Sequence, residues 1–190
     1  LFAAQTPTPI VPTGDARVNA EDFRVTVFAS GLNFPYRLDR LPDGSILVGA
    51  SAGPDFFRSP GHLLRFEDRD HDGVADGQGH VMYWPLPPCV TCVRRAGSLI
   101  LVVSAHPINN QIAILRMGRR TTDPLTFLGS VRLHYPRRHE HRTFTLAVHP
   151  RAGEADQYDV YFNIGSANNF APSAAGVKLT GLIHAQLDPD

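Results

Sequence analysis

"YRLDRLPDGSILVGASAG", Tyr36–Gly53, decides how this chain is read. Apolar and polar residues alternate from Tyr36 to Asp39, and Leu41 ends the stretch. Pro42-Asp43-Gly44 follows, and a second apolar run closes on Ser51-Ala52. Period-two alternation marks a half-buried strand, and Pro-Asp-Gly between two such runs marks a tight reversal.

The pattern returns twice. "CVTCVRRAGSLILVVSAHP" starts at Cys89 and reaches Ser104-Ala105. "TFTLAVHPRAGEADQYDVYFNIGSANN" starts at Thr143 and reaches Ser166-Ala167. A further strand pair follows the first two units: "GHLLRFED" and "GHVMYWPL" after one, "NQIAILRMG" and "LTFLGSVRLHYP" after the other. The third unit is followed by "GLIHAQLD". Four strands repeated at a period of roughly 50 residues is the signature of a propeller blade.

The fold expected is therefore all-β. Residues 21–190 should form about three four-stranded β-propeller blades, half of a six-bladed ring, with 1–20 an export remnant or flexible linker. Because a ring must close to protect its edge strands, such a chain reads as a fragment, or as a unit that pairs with a second half-propeller. A compact sandwich of the same strands is the structural alternative.

Composition agrees with an ordered β-protein. The chain has 190 residues, 43% hydrophobic and 19% charged, with 16 glycines and 16 prolines at recurring turn signals. Its 18 basic and 18 acidic residues balance, which argues against a nucleic-acid partner needing a basic surface. All but one of the basic residues are arginine, the exception being Lys178. No apolar run approaches the roughly 20 residues of a membrane helix. "LFAAQTPTPIVPTG" reads as the tail of a signal region followed by a Pro/Thr-rich tether, which suggests a periplasmic or secreted protein; a truncation or a short arm is the plainer reading.

"EDRDHDGVADG" sets Asp68, Asp70, Asp72 and Asp76 at alternate positions around Gly73. Alternate carboxylates on a tight loop converge, as in the first half of an EF-hand-like calcium loop. Gly79 stands where the bidentate Glu would be, so a calcium site here would be weak, with Asp76 as the substitute ligand. A solvated hairpin whose aspartates make Asx turns is the other reading.

Cys89 and Cys92 form a lone CxxC without a second ligand pair or a following helix, so two ordinary cysteines, buried or bridged, fit better than zinc or redox chemistry. His134, His139, His141 and His149 lack a fixed third metal ligand. His149 precedes Pro150 at an expected turn. His141, beside Glu140 and just before a strand, suits a general base, although a surface histidine is the commoner case.

"GLNFPYRLDRLPDGSILVGASAG", "LLRFEDRDHDGVAD", "HRTFTLAVHP" and "VYFNIGSANN" together resemble the glucose/sorbosone dehydrogenase family, nearest its L-sorbosone dehydrogenase-like branch, from about Phe23 onward. Members are six-bladed propellers using pyrroloquinoline quinone (PQQ) to oxidise a sugar or other alcohol. The resemblance implies that His141 is the base, with Glu140 beside it. It leaves Asn168 and Asn169 as polar candidates for contacting the cofactor. Ser166 stands where glucose dehydrogenases of the family have Asp, and Thr145 where they have Arg. The motifs that grip the quinone and its calcium belong to later blades. The Asp68 loop would then be a separate, peripheral ion site, and the chain alone should show little or no dehydrogenase activity. A non-catalytic propeller that binds carbohydrate or protein, and a lactonase-like hydrolase with a channel metal, are the competing functions.

Overall fold

The computed structural model describes residues 25–106, 110–133, 144–154, 157–164 and 181–187. These residues form an all-β protein with no helix among them. β1 (Asn33–Arg40), β2 (Ile46–Ser51), β3 (Gly61–Phe66) and β4 (His80–Leu86) make one sheet in sequence order. β5 (Val90–Ala96), β6 (Leu99–Ala105), β7 (Asn110–Arg116) and β8 (Thr126–Arg132) make a second of the same connectivity. β9 (Leu146–Pro150), β10 (Tyr158–Ile164) and β11 (Gly181–Leu187) make a third. Every pairing is antiparallel. The strands thus build three sheets rather than the two of a sandwich, and the described sheets form no closed ring.

The Pro42-Asp43-Gly44 turn forms as its residue types require. Gly44 takes φ +88°, a backbone region that suits glycine. Asp43 Oδ1 accepts from Ser45 N at 3.1 Å and from Ser45 Oγ at 2.6 Å.

Packing explains the sequence pattern of the middle sheet. Strict alternation would leave one face wet, but "LILVV" in β6 is a continuous apolar run, and all seven residues of β6 are buried. Ile100 and Val102 pack with Leu47, Leu63 and Met82 of the first sheet. Leu99, Leu101 and Val103 pack with Leu146, Val160 and Phe162 of the third. The middle sheet is therefore covered on both faces.

Two glycines set how closely the first two sheets approach. A Cβ on Gly49 of β2 would stand 2.7 Å from Val90 Cγ1 and 2.7 Å from Val93 Cγ2, and one on Gly61 of β3 would overlap Val90 Cγ2. Val90 thus fills a notch that exists only because both positions lack side chains.

The outer face of the first sheet is partly covered. Phe28, Ala29 and Leu32 pack with Val48, Leu64 and Phe66 there. Phe28 and Phe66 meet edge-on at 6.2 Å between ring centroids. Leu38 and Val81 remain exposed. Among the described residues no helix is long and apolar enough to cross a membrane.

Candidate functional site

The three sheets present the leading ends of their first strands on one side. Near the trailing ends, Asp39 Oδ2 of β1 accepts from Arg95 N of β5 at 2.7 Å, so these two strands run in the same direction. At the leading side, Phe56 O in the β2–β3 loop accepts from Cys89 N at 3.1 Å, just before β5. Cys92 Sγ lies 3.8 Å from Thr145 Oγ1, just before β9. Asn163 Oδ1 then holds that approach to β9, accepting from Phe144 N at 3.2 Å and Thr145 N at 3.1 Å.

Buried polar residues gather at this side. Ser51, Thr91, Ser104, Asn110 and Gln111 are all buried, at the end of β2, the start of β5, the end of β6 and the start of β7. The ladders place Ser104 opposite Val90 and Gln111, and Asn110 opposite Ala105. Ser104 Oγ donates to Pro87 O at 3.3 Å. Ser51 Oγ and Thr91 Oγ1 are buried with no partner among the described residues, an arrangement that costs free energy unless another group satisfies them. Motif reading passed over these five residues. The sequence signal was present in the polar residue closing each apolar run, Ser51 and Ser104 of the Ser-Ala pairs.

Glu140 and His141 lie outside the described residues, as do Asn168 and Asn169. His134 and His139 lie outside them too. His149 is described and differs from its expected turn. It belongs to β9, opposite Asp159, and the strand continues through Pro150. Proline is tolerated there because β9 is an edge strand of its sheet. Cys89 and Cys92 are both buried.

The acidic loop takes a different form at the far side of the first sheet. Asp68, Asp70 and Asp72 each bring a carboxylate oxygen within 4.8 Å of the others. Backbone N–H groups hold them. Asp68 Oδ1 accepts from Asp72 N at 3.1 Å, Asp68 Oδ2 from Gly73 N at 3.1 Å, and Asp72 Oδ1 from Val74 N at 2.7 Å. Gly73 sits at φ +84° and its carbonyl accepts from Thr26 Oγ1 at 2.8 Å. Asp76 stands outside this group of three; its Oδ2 accepts from Arg69 N at 2.7 Å. The loop combines Asx turns with three converging carboxylates, an oxygen donor set of the type hard cations take.

Beside it lies an ionic cluster that motif reading also missed. Arg65 of β3 is only 7% exposed, and its guanidinium bonds Asp43 Oδ2 at 2.6 Å and Glu67 Oε1. Thr121, in the turn between β7 and β8, donates to the same Asp43 oxygen, linking the first two sheets. Burial alone would raise the pKa of Asp43; hydrogen bonds from Ser45, Thr121 and Arg65 outweigh it and hold the carboxyl well below its ordinary 3.8. Hydrogen bonding to Arg65 lowers Glu67 as well. Arg69 also pairs with Glu67, so two guanidinium groups balance two carboxylates, and the cluster reads as a structural clamp.

No protein-family model, curated protein or solved structure matches the chain.

Proposed function

We propose that the chain is part of a β-propeller that works as a PQQ-dependent sugar or alcohol dehydrogenase, with the leading side of the three sheets as its active face. The observation that carries this reading is the convergence there of three successive first-strand ends, together with five buried polar residues. A radial stack of four-stranded units gives that convergence, because each unit repeats the same chain direction about an axis. The partly bare outer face of the first sheet is where a further unit would pack, from a second half-propeller or more of the same ring.

In this proposal His141, in the segment leading into β9, takes the proton from the substrate hydroxyl. Glu140 beside it stabilises the imidazolium that forms. Asn168 and Asn169, in the segment leaving β10, hydrogen-bond the cofactor. Both segments leave the third sheet at the same end, since Leu146 of β9 pairs with Phe162 of β10. The quinone, when bound, supplies a hydride acceptor. Calcium is assigned separately to Asp68, Asp70 and Asp72, whose half-buried to exposed carboxylates suit a weak peripheral ion. Export to the periplasm or outside the cell is part of the same proposal.

The test is addition of PQQ with calcium to the purified chain. A small shift in the quinone absorbance and a rise in Tm beyond that from calcium alone are expected, with little or no sugar-dependent dye reduction; His141→Ala should keep the spectral shift, and robust dye reduction that survives this substitution would remove His141 as the base. Absence of both spectral and thermal response sinks the quinone reading. Lactone hydrolysis sensitive to a chelator would move the function to the hydrolase class. Calcium alone should raise Tm modestly in the parent chain and not in Asp70→Asn/Asp72→Asn; equal shifts in both would remove the peripheral ion.

A further inference from the structure

A pocket of about 410 Å³ opens at the leading side of the first sheet, lined by Phe34, Tyr36, Pro54, Asp55, Phe56 and Phe57. Phe56 is the hub of its rings. Its centroid lies 5.5 Å from that of Phe34, 6.1 Å from Tyr36 and 5.2 Å from Phe57. The interplanar angles of 50°, 23° and 78° show that the three outer rings lie at different tilts around it. Phe34, Tyr36 and Phe57 are 47%, 52% and 60% exposed. Exposing three large rings side by side opposes the hydrophobic effect, so the local structure must hold them there.

It does so by identifiable devices. The β1 ladder is irregular between Asn33 and Arg37, and Phe34 has φ +48°, an uncommon backbone region for a bulky residue. The break re-aims Phe34 and Tyr36. On the facing loop, Asp55 Oδ1 accepts from Phe57 N at 2.9 Å and Arg58 N at 3.2 Å, and Asp55 O accepts from Ser59 N at 2.8 Å. The bond from Cys89 N to Phe56 O ties that loop to the second sheet. The rings are thus preorganised from both sides.

Charge selects among possible occupants. Among the described residues that line the pocket, Asp55 alone is charged. The guanidinium of Arg58, 89% exposed, stands at the rim with Nε 3.8 Å from Asp55 Oδ2. Aromatic faces carry the negative lobe of the ring quadrupole and attract a weakly hydrated cation, and a carboxylate at the rim adds to that field. None of the described lining residues carries a positive charge that would complement an anion. We infer that this pocket binds an organic cation of the alkylammonium class, its methyl groups against the rings and its charge toward Asp55. The site is independent of the quinone reading, and its ligand need not be a substrate.

Choline is the probe, titrated into the purified chain by calorimetry or ligand-observed NMR. The comparison ligand is its uncharged carbon isostere, with a tert-butyl group in place of trimethylammonium. Millimolar binding of choline is expected, with the isostere about ten-fold weaker. Asp55→Asn keeps the Oδ1 acceptor of the turn and should weaken choline about three-fold while leaving the isostere unchanged. Tyr36→Ala, at an exposed ring, should weaken choline by a similar factor of about three. Arg58→Ala removes the competing cation and should tighten it. Equal affinity for the isostere would mean a merely apolar pocket and overturn the inference. So would failure of choline to saturate, tightening by Asp55→Asn, or binding of glucose in preference to choline.

Discussion

β1 and β5 hold the same place in sheets of the same connectivity, yet β1 is exposed along nearly all its length while β5 is largely buried. Tyr36 and Leu38 of β1 face solvent; Val90, Cys92 and Val93 of β5 do not. The difference lies in neighbours. β5 packs on β1 and β2 on one side and on β9 on the other, whereas β1 has a sheet on one side alone. Burial in a repeating β-protein is thus set by a unit's position in the stack. The sequence records that position: "VTCV" begins the strand with covered faces, whereas no residue of "YRLDR" is buried.

This contrast can be broken most strongly at the doubly covered sheet. Ile100→Ala, at a fully buried β6 side chain facing the first sheet, should cost about 3 kcal/mol in denaturant unfolding. A loss under about 1 kcal/mol would mean that the sheets do not pack as described.

Next comes the clamp between the sheets. Asp43 has a folded-state pKa below its unfolded value, so its contribution is fully present above about pH 4 and is lost as pH falls further. Asp43→Asn should therefore lower Tm at neutral pH and flatten the acid dependence below about pH 4. An unchanged acid limb would remove Asp43 from the clamp. Asp39→Ala breaks the direct bond between β1 and Arg95 of β5 and should cost about 1 kcal/mol, read as a shift of the urea midpoint. Smallest of all, Leu38→Ser on the bare outer face should change stability by less than about 0.5 kcal/mol. A larger loss in a self-associating sample would show that another sheet already covers that face.

What was legible in the sequence was local. The Pro-Asp-Gly reversal, the antiparallel order of strands and the acidic loop followed from turn chemistry and alternation, which act over a few residues. The contacts that assemble the sheets were not legible. Asp43 meets Thr121, and Asp39 meets Arg95, across spans that no short-range pattern encodes. Arg65 in "LLRF" is buried, because Asp43 and Glu67 bring carboxylates to it, and Asp43 lies a whole hairpin away. At the candidate site the sequence drew attention to histidines and passed over serine and threonine. Ser51 and Thr91 look ordinary until burial leaves their hydroxyls without partners among the described residues. The aromatic pocket was hidden for a similar reason: Phe34 and Tyr36 come from one strand and Phe56 and Phe57 from the loop beyond the next, so neither pair is conspicuous alone.

The Gly49 and Gly61 notch makes these sheets poor spare parts. Val90 needs two bare backbones opposite it, and β10, "YDVYFNI", offers no glycine anywhere along its length. A chimera placing the third sheet where the first now stands would jam against that isopropyl group. The repeated units look alike in outline, but the boundary between the first two is cut to a single mating piece.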